Sequence, residues 1–89
     1  MEKAKNMPLF LESSKGIKRI EKRRNGRFSI SELEKGETYF IKGTIKNGKT
    51  MVLMKIQPQA SKVHCELTEI AGLQMKAIER GGVLKIQIR

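Results

Sequence analysis

The residues best equipped for chemistry are cations. Lys15, Lys18, Arg19, Lys22, Arg23 and Arg24 set six positive charges against the single Glu21 within ten residues, and Arg27 follows three positions later. Lysine and arginine displace the counterions condensed on phosphates, so such a run gains affinity for a polyanion without needing rigid geometry. Contact with about five phosphates gives a slope of roughly −3.5 to −4.5 for log K against log salt. Further along, Phe40, Lys42, Lys46 and Lys49 combine one aromatic ring with three cations. A base stacked on such a ring contributes about 1–3 kcal/mol. With only four aromatic residues in the chain, contacts to the phosphate backbone should dominate and sequence selectivity should be weak.

Other chemistries have little to work with. His64 and Cys65 are neighbours in an alternating segment, so their side chains point to opposite faces and form no base–nucleophile pair. A lone cysteine excludes an internal disulfide and, with a lone histidine, the common Cys/His zinc sites. Aspartate is absent, and the one acidic cluster, Glu32, Glu34 and Glu37, lies in a turn-like stretch around Lys35-Gly36 where balancing nearby lysines is the simpler role. Metal-dependent phosphoryl transfer usually gathers several carboxylates. The expectation is a non-enzymatic protein with no cofactor and no metal.

The elements that must position these side chains fit into 89 residues carrying a net charge of +10, which is room for one domain. Residues 1–27 hold nine basic and three acidic side chains, a net of +6, and read as a basic, mobile or loosely docked arm, in which Pro8-Leu9-Phe10-Leu11 either packs on the body, the favoured reading, or sits in a partner's groove. Residues 28–89 read as a single β-rich domain. Thr38 to Lys46 alternates, with Tyr39, Ile41 and Ile45 opposite Phe40, Lys42, Thr44 and Lys46. Asn47-Gly48 suits a type I′ turn, so 38–46 and 49–57 should form an antiparallel hairpin whose second strand is apolar on both faces and ends at Pro58. Lys62 to Leu67 alternates again, placing Cys65 with the core. Thr68 then resembles a helix cap, Ile70, Leu73, Ala77 and Ile78 recur at helical spacing, and Gly81-Gly82 reads as the stop. Val83 to Arg89 closes the chain as a strand.

The predicted fold class is α+β and β-rich: a small curved antiparallel sheet or OB-like barrel of four to five strands with one helix in the C-terminal half. Residues 30–45, with Leu33, a turn at Gly36 and mid-strand Gly43, resemble the first long strand of OB domains. Tyr39 through Ile78, as hairpin, Pro-interrupted connection, strand and helix, is similar in element order to the positive-cofactor family of single-stranded-DNA-binding transcription regulators, with which it also shares a basic N-terminal arm. Both resemblances imply single-stranded nucleic acid as the ligand.

The expected partner is therefore DNA or RNA, single-stranded by preference, held by Lys15, Lys18, Arg19, Lys22, Arg23, Arg24, Arg27, Lys42, Lys46 and Lys49 with Phe40 against a base. The alternative is a small interaction module that docks on the acidic surface of a larger nucleic-acid machine such as a polymerase; pairing of two copies is compatible with either. A membrane partner is not expected, because Glu12-Ser13-Ser14 separates the apolar patch from the basic run and no apolar stretch is long enough to span a bilayer. A cytoplasmic or nucleoid-associated location fits this composition.

Overall fold

Two-residue alternation of buried positions is regular at Arg27–Ile30, Tyr39–Thr44 and Val83–Ile88. The computed structural model describes residues 7–23, 26–44, 48–59, 63–68, 74–80 and 83–88. Among them are eight strands: β1 (Leu9–Ser13), β2 (Gly16–Ile20), β3 (Arg27–Ile30), β4 (Tyr39–Thr44), β5 (Thr50–Pro58), β6 (Val63–Leu67), β7 (Met75–Arg80) and β8 (Val83–Ile88). They form a five-stranded sheet in the order β2-β1-β4-β5-β6 and a three-stranded sheet in the order β3-β8-β7, every pairing antiparallel.

One core joins the two sheets. Leu9, Ile41, Leu53, Met54 and Ile56 from the larger sheet and Leu84 and Ile88 from the smaller are almost wholly buried, with Phe28, Ile30 and Ile86 beside them. Within residues 1–27, β1 and β2 pair with each other and β1 continues onto β4, so Leu9 and Leu11 are core residues. Tyr39 is buried with its hydroxyl accepting the Glu34 backbone N–H at 2.9 Å, as a buried phenol requires.

The hairpin of β4 and β5 forms, and its irregularity explains why β5 looked apolar on both faces. Ile41 pairs with Met54 but Lys42 pairs with Val52, leaving Leu53 as the extra residue of a β-bulge. Leu53 and Met54 are consecutive, yet both point inward. Gly43 lies beside this bulge on the inward face. A Cβ there would sit 2.7 Å from Met7 Sδ and 2.8 Å from Leu53 Cδ1, so the core closes over the bare backbone.

The helix expected over 68–81 and the barrel or single sheet of four to five strands are both corrected by this architecture. No helix occurs among the described residues; Met75–Arg80 is a strand paired with β8 from Met75↔Ile88 to Arg80↔Val83, and residues 69–73 lie outside the description. The physical reason is the position of β8. Leu84, Ile86 and Ile88 make it the central strand of the smaller sheet, and a buried central strand needs ladder partners on both edges. Gly-Gly between two alternating runs is a hairpin signal as well as a helix stop, and the periodicity of Ala77 and Ile78 did not separate the two.

Candidate nucleic-acid interface

The two outer sheet faces differ in charge. On the larger sheet, register places Ile17, Glu12, Phe40, Lys55 and Glu66 in one row across the strands, and Arg19, Phe10, Lys42 and Val52 in the next. Cations here meet acids. Lys42 Nζ donates to Glu12 Oε1 at 2.9 Å, and Lys55 stands opposite Glu66. Phe40 is half-buried between Glu12 and Lys55, so its surroundings are nearly neutral.

The smaller sheet is different. Phe28, Ile30, Leu84, Ile86 and Ile88 point inward, which leaves Arg27 and Ser29 of β3, Lys85 and Gln87 of β8, and Lys76, Ile78 and Arg80 of β7 on the outer face. Arg27, Gln87 and Lys76 align as one row, and Ser29, Lys85 and Ile78 as the next. The link from β2 to β3 supplies a wall through Glu21 and Arg23. These residues, Arg80 excepted, line an open groove of about 620 Å³ in which Arg23, Arg27, Lys76 and Lys85 face only one acid, Glu21. Among the described residues, no ion pair holds Arg23, Lys76 or Lys85.

The wall is held by backbone bonds. Arg23 N–H donates to Arg27 O and Gly26 N–H donates to Arg23 O, both at 2.9 Å, while Ile88 N–H donates to Gly26 O at 3.0 Å. These bonds, the last of them to the central strand, set Arg23 and Arg27 against β8.

The expected binding residues are dispersed by the fold. Lys15 lies in the β1–β2 turn and is paired with Glu34, which raises its pKa. Lys18 and Arg19 are exposed on β2, at the edge of the larger sheet. Lys22 donates to the backbone carbonyl of Met7, and burial, with Arg19 nearby, lowers its ammonium pKa. Lys42 is bound to Glu12 and Lys49 is exposed beside the hairpin turn. Arg24 and Lys46 fall outside the described residues. Only Arg23 and Arg27 of that set reach the groove; its other cations, Lys76 and Lys85, and the exposed Ile78 were not among the expected residues. The alternation of Lys85, Gln87 and Arg89 against Leu84, Ile86 and Ile88 was the available signal.

Neither a catalytic pair nor a metal cluster forms among the described residues. His64 and Cys65 lie on opposite faces of β6; His64 Nε2 is 3.4 Å from Glu66 Oε1, whereas Cys65 packs against the core. No three acidic, histidine or cysteine side chains gather as metal ligands among these residues. Burial pushes the Cys65 thiol pKa up. Because the thiolate is the reactive form, Cys65 in the folded protein should react with iodoacetamide at pH 8 more slowly than glutathione does, and unfolding in urea should remove the difference. Comparison of the chain with protein-family models, curated proteins and solved structures finds no match. No helix among the described residues is long and apolar enough to cross a membrane.

Proposed function

We propose that the protein is a non-enzymatic nucleic-acid-binding protein whose contact surface is the outer face of the three-stranded sheet. Arg23, Arg27, Lys76 and Lys85 meet backbone phosphates, and selectivity for sequence is weak because phosphate contacts carry none. The observation that supports this reading is convergence: cations from three separate chain segments line one open groove with a single acid. On the outer face of the larger sheet, Lys42 is paired with Glu12 and Lys55 stands opposite Glu66.

Fluorescence anisotropy with labelled single-stranded and duplex oligonucleotides, titrated at several salt concentrations, tests it. Four phosphate contacts give a slope of about −2.8 for log K against log salt on a single strand, with affinity micromolar or tighter at low salt. Negligible binding at low salt would overturn the reading and leave an acidic protein surface as the complement of the same groove.

A further inference from the structure

We infer that the groove is built for an unpaired base, with Ile78 as its seat. This rests on the groove being a nucleic-acid surface, and adds which form of nucleic acid it takes and which residue discriminates. Ile78 is 46% exposed on a strand whose outward positions are otherwise charged. Its neighbours on that face are Lys76 two residues before it, Arg80 two residues after it and Lys85 directly across the ladder. Successive same-face residues are about 6.8 Å apart along a strand and neighbouring strands about 4.8 Å apart. An apolar surface is thus flanked on three sides by cations within one side-chain length, on the strand that is terminal in its sheet.

A nucleotide has the complementary form, a flat ring with apolar faces tied to anions on either side. In a duplex the ring faces are stacked on one another and only phosphates and groove edges reach the protein, so Ile78 would gain nothing. In a single strand one base can lie on the Ile78 side chain while its flanking phosphates reach Lys76, Lys85 and Arg27. Gln87, between Arg27 and Lys76 in register, brings a donor and an acceptor to the neighbouring position.

The experiment compares three probes: a labelled single strand, the duplex of the same sequence, and inorganic polyphosphate as a competitor without bases. Ile78→Thr, which keeps a β-branched side chain on the strand, should weaken single-strand binding about five- to tenfold, the order expected when one or two methylene groups lose contact. Duplex and polyphosphate affinities should stay within about twofold, since phosphate contacts are untouched. Ile78→Phe should tighten single-strand binding, because a ring stacks on a base better than an aliphatic chain does. Equal changes on all three probes, or none on the single strand, would overturn the base seat. The double variant Lys76→Gln/Lys85→Gln separates this failure from a broader one. If it weakens all three probes while Ile78 variants alter none, only the base seat falls; if it alters none, the groove itself is not the binding surface.

Discussion

Reversing Lys76 and Lys85 to glutamate together should lower oligonucleotide affinity about 100-fold or more near 0.1 M salt. Each single-strand phosphate contact contributes about 0.7 to the salt exponent, so removing one costs about fivefold at that salt and removing two about 25-fold. Reversal also turns two attractions into repulsions inside a groove whose lining has four cations and one acid. The salt slope should flatten accordingly, which a simple loss of folded protein would not produce. Both residues are exposed on outward positions, so the circular dichroism spectrum should be unchanged. Lys15→Gln is the matched control: that lysine is already paired with Glu34 in the β1–β2 turn, so its loss should alter affinity by less than about twofold, as exposed ion pairs contribute little. Lys22 is unsuitable for charge reversal, because its ammonium is half-buried against the Met7 carbonyl and reversal would disturb folding.

Local alternation was legible where one face is buried and the other solvated. Tyr39 and Ile41 against Phe40 and Lys42, and Leu84, Ile86 and Ile88 against Lys85 and Gln87, follow the pattern that their sequences display. Two things hid the rest. In β2, Gly16–Ile20 sits at a sheet edge, where charged residues are the usual means of blocking further pairing, so a strand is written as a basic run with isoleucines at 17 and 20. In β7 the strand is also terminal: Met75 and Ala77 are only half-buried, and nothing in their weak alternation competes with the apparent helical spacing of Ile70, Leu73, Ala77 and Ile78 in the sequence. The groove on the smaller sheet was hidden for a related reason. Charge density along the chain drew attention to residues 15–27, but sequence density does not register which cations are neutralised by acids brought in from afar. Glu34 reaches Lys15 across nineteen positions and Glu12 reaches Lys42 across thirty.

Gly26→Ala should produce the largest loss of stability of any single substitution considered. Gly26 has φ +79°, and a Cβ built on it would lie 2.2 Å from the carbonyl oxygen of Ile88. Two penalties therefore combine: about 1–2 kcal/mol for a side chain in the left-handed region, and about 1–3 kcal/mol for an overpacked contact. Rotamer changes cannot relieve the second, because the obstacle is backbone in the central strand of the smaller sheet. Relaxation would have to stretch the hydrogen bond from Ile88 N–H to Gly26 O, the bond that ties the neighbourhood of Arg23 and Arg27 to β8. The expected outcome is a loss of about 2–5 kcal/mol, a large share of the 5–15 kcal/mol typical of a folded domain, read as a lower urea midpoint. Gly36 provides the comparison, since its φ is +81° with open space around the missing Cβ. Asparagine tolerates the left-handed region, so Gly36→Asn should be nearly neutral. Gly26→Asn should recover only the conformational part of that loss and remain about 1–3 kcal/mol less stable than the parent, because it still places a Cβ against the Ile88 carbonyl; full recovery of the midpoint in that variant would show that backbone conformation alone, without close approach, sets the requirement for glycine.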